Sequence, residues 1–184
     1  GDIGATARSF PSDLLVRPAS LRNKEGRGLR VFTPFWKRVL SLGDPPRPLP
    51  APKVLKPGPP IETDDLASWS LELTGFLENS IAGYATLRDR PDRDGTSRLS
   101  PHLRFGEISP RQVWHAANFA LAQKPAIASD VAKFLSELGW REFSRHLLFD
   151  HPDLARKNLQ PSFDSFPWRR DAKALCAWQR GQTG

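Results

Sequence analysis

The sequence predicts a mainly α-helical domain entered through an extended, proline-rich linker. Three observations predict it. Eleven of the 18 prolines fall between Pro11 and Pro60, a density that favours stiff, extended chain over helix or sheet. From about residue 75, apolar residues recur at three- and four-residue spacing, the period of a helix with one buried face. No strand–helix–strand alternation and no internal repeat runs through the 184 residues.

The elements follow in order. Leu14-Leu15-Val16, bracketed by Pro11 and Pro18, reads as an edge strand or an extended segment. Asn23-Lys24-Glu25-Gly26 is a turn signal. A short helix over PFWKRVLSL should start with Thr33 as cap and Pro34 in the first helical position, and end at Gly43. DPPRPLPAPKVLKPGPP, from Asp44 to Pro60, reads as a connector, with a proline-motif ligand as the other reading. Phe76, Leu77, Ile81, Tyr84 and Ala85 mark a helix that must stop before Arg90-Pro91. After the polar loop Asp92–Arg98, Ser100-Pro101 and Ser109-Pro110 each restart a helix, with a hydroxyl cap and a proline at its start. A long helix runs from about Ser129 to Phe149 and is closed by His151-Pro152. The tail is loop, with a helix near Asp171 to Gln179.

Composition removes several function classes. No apolar run approaches 18 residues, which excludes a helical membrane span. The single cysteine, Cys176, excludes an internal disulfide framework and a cysteine-based zinc site. The four histidines show no metal-ligand spacing. Glu142 and His146 stand four apart on an apolar stripe, as a buried hydrogen-bonded pair would. Lys and Arg number 27 against 20 Asp and Glu, for a net charge of +7. Such an excess suits nucleic acid, and also suits an ordinary basic surface. With no methionine and no charged-then-apolar leader, the chain is expected to be a piece of a longer, cytoplasmic protein.

Two constellations can carry chemistry. Along the long helix, Val131, Leu135, Leu138 and Phe149 share one stripe. Phe134, Glu137, Trp140, Arg141, Ser144 and Arg145 cluster on another. That second set can stack a planar ring, accept its hydrogen bonds and hold phosphate. The same residues also suit a solvated face with a Glu137–Arg141 pair, worth only about 0.2–0.5 kcal/mol. The second constellation is GTSRLSP, Gly95 to Pro101, where Thr96, Ser97, Ser100 and backbone amides at a helix start can bind an anion. An ordinary capped helix start, which needs no ligand, accounts for the same residues.

GTSRLSPHLRFGEISPRQVWHA, then FLSELGWREFSRHLLFDHPDL, then AWQRGQTG, resemble the flavin-binding domain of the DNA photolyase and cryptochrome family. SFPSDLLVRP followed by VFTPFWKRVL resembles the family's link between its N-terminal α/β antenna domain and that helical domain. The resemblance implies that residues 1–32 end the antenna domain, that 33–74 form a short helix and proline-rich linker, and that 75–184 are the first half of the helical FAD-binding domain. ELxWREFxRHL with Trp140 is most similar to bacterial cyclobutane pyrimidine dimer photolyases; plant-type cryptochromes usually lack that tryptophan.

The resemblance also implies roles. Tyr84 would contact FAD, and Thr96, Ser97, Arg98, Leu99 and Ser100 would hold its phosphates. Phe134 stands where the family often has a tryptophan beside the cofactor. Glu137 would hydrogen-bond the lesion's bases, Trp140 would stack on the flipped dimer, and Arg141 would line the cofactor and lesion site. Arg88 would touch DNA, and Ser144 joins Glu137, Trp140 and Arg141 on the DNA side. Trp168 resembles the outermost tryptophan of the chain that photoreduces the flavin. The implied activity is deoxyribodipyrimidine photo-lyase: light-driven repair of damaged DNA by electron transfer from reduced FAD, in a monomer that also carries an antenna chromophore. A blue-light photoreceptor of cryptochrome type and a non-catalytic helical DNA-binding module are the alternatives.

Departures matter as well. The family's residues at the flavin N5, its acidic pair and its two inner tryptophans lie in a half-domain that this sequence does not include. WSLELTGF, from Trp69 to Phe76, is shorter than its family counterpart, so Thr74-Gly75 reads as a junction. The span by itself is therefore expected to be catalytically silent.

Overall fold

A computed structural model describes residues 13–50, 73–167 and 169–183, and the chain divides into two units, Gly1–Asp150 and His151–Gly184. Regular structure among the described residues is helical. The first unit holds α1 (Phe32–Leu40), a π-helical turn at Phe76–Ser80, α2 (Tyr84–Leu87), α3 (Ser100–Phe105), α4 (Pro110–Gln123) and α5 (Ala128–Asp150); the second holds α6 (Ala172–Gln179). One isolated antiparallel bridge, Arg22 to Gly28, is the β pairing recorded among the described residues.

Helix α5 positions the rest of the first unit, packing against α1, α2 and α4. Val131, Leu135 and Leu138 are buried, as their shared stripe predicts. Phe149 belongs to that stripe by periodicity but is 59% exposed. The covering elements do not reach the last turn, where the Arg22 guanidinium lies 5.7 Å from the Phe149 ring instead. Phe134, expected on the polar face, is 5% exposed and packs with Phe76 and Tyr84.

No strand forms at Leu14–Val16. The Val16 backbone is satisfied by α5. The Val16 amide donates to Glu142 Oε1 at 2.8 Å, and the Val16 carbonyl accepts from His146 Nε2 at 3.0 Å. A carbonyl can only accept, so Nε2 carries the proton. Glu142 and His146 are buried, as expected, but each bonds Val16, and Nε2 stays 3.5 Å from Oε1.

The helix starts divide by mechanism. At α4 the Ser109 hydroxyl accepts from the Gln112 amide, and the Gln112 side chain accepts from the Ser109 amide, a complete capping box before Pro110. The other two expected caps are corrected. Helix α1 begins at Phe32, with Val31 as a cap that makes no side-chain bond. Pro34 then sits inside the first turn, where a missing N–H costs nothing. Helix α3 begins at Ser100 itself, preceded by Leu99 in a helical conformation, so the Ser100 hydroxyl caps nothing. In α1, packing outweighs capping, because Phe32 stacks on Trp36 and Trp140.

Trp36 lies against the backbone of α5. A Cβ added at Gly139 would sit 2.6 Å from the Trp36 ring. Gly139→Ala is therefore expected to lower stability by about 1–2 kcal/mol, because overpacking outweighs the usual gain of alanine within a helix. Urea unfolding with near-ultraviolet dichroism of the tryptophans checks this; a stabilised variant would show that the helices do not approach so closely.

Of the proline-rich segment, residues 44–50 are described and form no helix. Asp44 accepts from the Trp114 indole at 3.0 Å and the Pro45 carbonyl from His115 at 2.9 Å, which fixes the start of the segment on α4. The remainder to Pro60, the WSLELTGF segment as far as residue 72, and Trp168 lie outside the described residues. In the second unit, Asp171 caps α6 by accepting from the Ala174 amide at 2.9 Å.

Candidate functional site

The site is assembled by two close approaches around α2. Gly83 adopts a left-handed φ of 84°, and Asp130 of α5 accepts from the Gly83 and Ala85 amides at 3.0 and 2.9 Å. This clamp sets the Tyr84 ring edge-on to Phe134 at 5.5 Å and to Phe76 at 5.6 Å. Burial pushes the Tyr84 phenol above its ordinary pKa, and the adjacent Arg88 guanidinium opposes that shift. Next, the loop at Gly95 comes so close to α2 that a Cβ would lie 2.9 Å from Leu87. Only glycine allows that approach. The loop then turns through Arg98, a non-glycine residue at φ 52°, a conformation that costs energy and is often found at binding sites. Leu99 is buried and anchors the loop from below.

Between this loop and α5 lies a cavity of about 800 Å³, within the range of small-molecule sites. Its lining includes Tyr84, Arg88, the run Thr96–Ser100, Phe134, Glu137, Arg141 and Ser144. These are all the expected site residues save Trp140 and Trp168. Five arginines line it (Arg88, Arg98, Arg104, Arg141 and Arg145) against one carboxylate, Glu137. The arrangement is suited to an anion that also carries a planar apolar portion.

Several charges are already engaged. Glu137 Oε1 pairs with Arg88 Nη1 at 3.1 Å and with Lys133 Nζ at 3.0 Å. Arg141 donates to the Asp13 and Leu103 carbonyls at 2.8 and 3.1 Å. Glu137 and Arg141 thus do not form the i,i+4 pair that a solvated face would have. Burial and the neighbouring Arg145 lower the Arg141 pKa. Arg145 itself pairs with Asp13 at 3.2 Å, and the Ser144 hydroxyl donates to the Trp140 carbonyl at 2.9 Å. Arg98 pairs with Asp94 at 3.1 Å on the exposed rim. Arg88 is in the cavity wall, a quarter exposed, with its guanidinium 6.0 Å from the Tyr84 ring.

Trp140 stands apart from these residues. It is not among the lining residues of this cavity. Its ring stacks on Phe32 at 3.6 Å between centroids and 9° between planes, meets Phe143 edge-on, and stays 44% exposed. Three residues along a helix is about 300°, so Trp140 turns to the α1 side of Glu137. Arg145 and Leu148 continue the lining one and two turns beyond Arg141, a continuation the helical period foreshadows. Arg104 has no such signal, because α3 places it. Lys133 stands one turn before Glu137, and the helical period alone brings the two together.

Comparison with known proteins adds the family. Residues 134–184 match the family model of the FAD binding domain of DNA photolyase. The chain is 41% identical to the deoxyribodipyrimidine photo-lyase of Agrobacterium fabrum, over all of this chain and 43% of that protein. It is 34% identical to Cryptochrome-1 of Arabidopsis thaliana, over 98% of this chain and 31% of that protein. The crystal structure of a bacterial class III photolyase from Agrobacterium tumefaciens superposes with a TM-score of 0.77 at 40% identity, covering 98% of this chain and 42% of the other. The chain spans less than half the length of these relatives. The alignment to the A. fabrum protein runs over 208 positions against 184 residues here, so that relative has residues without a counterpart in this chain.

Proposed function

The chain belongs to the DNA photolyase and cryptochrome family, and we propose that it is the part of a deoxyribodipyrimidine photo-lyase that holds the FAD phosphates and one wall of the lesion site. The observation that carries this reading is the lining of the cavity, where five guanidinium groups and the Thr96, Ser97 and Ser100 hydroxyls stand beside Tyr84 and Phe134. That donor set fits a dinucleotide, with phosphates among the cations and a planar ring against the aromatics.

In this reading Thr96–Ser100 hold the phosphates, Tyr84 and Phe134 bound the apolar part, and Arg141 lines the cofactor and lesion site. Bound there, reduced FAD supplies the absorption of light and the single electron that splits a pyrimidine dimer. The protein's own residues bind and orient. Glu137 accepts hydrogen bonds from the damaged bases, and Trp140 offers a stacking face to the extruded dimer. Extrusion is cheaper for a damaged, weakly stacked base. Arg88 and Ser144 complete the DNA side. The complete protein, acting as a monomer with an antenna chromophore elsewhere and Trp168 as the outer electron-transfer residue, would then repair cyclobutane dimers. No helix among the described residues is long and apolar enough to cross a membrane.

The likeness to Cryptochrome-1 favours a second reading, a photoreceptor using the same flavin site. One experiment separates them. The complete protein containing this chain should show a flavin spectrum and should restore dimer-containing DNA under blue light. A flavin spectrum without repair would support the photoreceptor, and the absence of flavin would sink both.

Arg88→Ala should weaken binding to damaged and undamaged duplexes alike and lower the salt slope by about one unit, as loss of one phosphate contact does. Titration at several salt concentrations measures it; an unchanged slope would remove Arg88 from the DNA contact.

A further inference from the structure

Glu137 is approached by two cations. Arg88 Nη1 and Lys133 Nζ approach the same oxygen, Oε1, at 3.1 and 3.0 Å, and neither of these contacts falls on Oε2. Two cations gathered on one oxygen also repel each other. Helix stability does not account for Lys133. It precedes Glu137 by four residues, the less favourable order for such a pair, which even in the better order is worth only a few tenths of a kcal/mol.

The two cations differ in how they are held. Lys133 stands on α5, a helix of 23 residues, in fixed register with Glu137, and is not among the residues lining the cavity. Arg88 ends α2, a helix of four residues, and lines the cavity. Its Nε is buried and has no hydrogen-bond partner among the described residues. A guanidinium carries five donors, and a buried donor left unpaired is costly. The Arg88 Nε is therefore left unsatisfied in this arrangement, while Nη1 lies 3.6 Å from Asp89 Oδ1 as well as against Glu137.

We propose that Lys133 is a positioning residue: it keeps Glu137 charge-paired while Arg88 moves from Glu137 to a phosphate of the incoming DNA. This rests on the reading above, in which Arg88 and Glu137 meet DNA. Without Lys133, release of Arg88 would leave a half-buried carboxylate with no counter-charge, which is unfavourable. Arg88 would then stay on Glu137, and its phosphate contact would be lost. Lys133 thus acts on DNA through Arg88 and not by touching it.

The test uses the complete protein containing this chain, a duplex with one thymine cyclobutane dimer and the matching undamaged duplex. Affinity is measured across a range of salt for Lys133→Met, Lys133→Arg, Arg88→Ala and the Lys133→Met/Arg88→Ala double variant. Lys133→Met should lower the salt slope by about one unit, as Arg88→Ala does. The double variant should show no further fall, and Lys133→Arg should restore the slope. Glu137→Gln should abolish the effect of Lys133→Met, because a neutral amide no longer retains Arg88. Additive slopes, near two units in the double variant, would make Lys133 a phosphate contact in its own right and overturn the proposal. An unchanged slope in Lys133→Met, with Arg88→Ala still effective, would overturn it also. If Arg88→Ala leaves the slope untouched, the parent reading of Arg88 fails instead.

Discussion

Replacing Phe35 with alanine is expected to destabilise the first unit by about 3–5 kcal/mol, the usual loss for a buried phenylalanine truncated in a core. Phe35 is 1% exposed, with its ring 5.2 Å from Phe143 and 4.9 Å from His146. It packs in a small buried cluster with Leu21, Val39 and Phe143, so truncation leaves a cavity in that cluster. Domains are typically stable by only about 5–15 kcal/mol, and this single change would remove much of that. The variant also tests the expected division into a linker up to residue 74 and a helical domain from 75. If α1 were only part of a passive link, unfolding of the tryptophan-rich core would not register the loss. Urea unfolding followed by fluorescence decides it, and a change below about 1 kcal/mol would detach α1 from the core. The functional consequence runs through Phe32, which α1 holds against Trp140.

The parts of this fold that were legible in the sequence are those set by neighbours a few residues away. Ser109-Pro110-Arg111-Gln112 writes its own capping box, and the period of α5 brings Glu137, Arg141 and Ser144 to one side. The loop Thr96–Ser100 lines the same cavity, next to the helix start that Ser100-Pro101 marks. The features that were not legible depend on residues far along the chain. Leu14–Val16 has the composition of a strand, but Glu142 and His146 bond the Val16 amide and carbonyl from a helix more than 120 residues on. Thr33-Pro34 has the form of a helix start, but stacking of Phe32 draws the helix back to Phe32. Phe149 keeps the apolar register yet lies beyond the elements that cover α5. Trp140 shares a heptad with Glu137, and only its contact with Phe32 settles which way its ring faces. Nothing in the residues beside Arg88 signals its packing against Tyr84 and Glu137, which follows from the four-residue α2 and the Gly95 approach.

Trp140→Ala, in the complete protein, should weaken binding of dimer-containing DNA by about 1–3 kcal/mol, roughly 5- to 150-fold, and leave undamaged DNA almost unaffected. The reason lies in how the ring is presented. Phe32 covers one face of the indole at 3.6 Å, Phe143 meets it edge-on, and 44% of the residue remains exposed. A ring backed in this way has little freedom left to lose when a base stacks on its other face. Undamaged duplex keeps its bases stacked within the helix and offers no partner, so the loss should be confined to the lesion. Phe32→Leu supplies the complementary measurement. It keeps Trp140 and an apolar contact but removes the parallel ring, so the affinity for the dimer should fall by less than in Trp140→Ala, again with little change for undamaged DNA. Titrations of both duplexes at one salt concentration are sufficient, with circular dichroism to show that α5 is intact. Equal losses on the two duplexes would assign Trp140 to general DNA contact. No loss on either would leave the Phe32–Trp140 stack as a packing feature, and lesion recognition would then rest on Glu137 and the cavity alone.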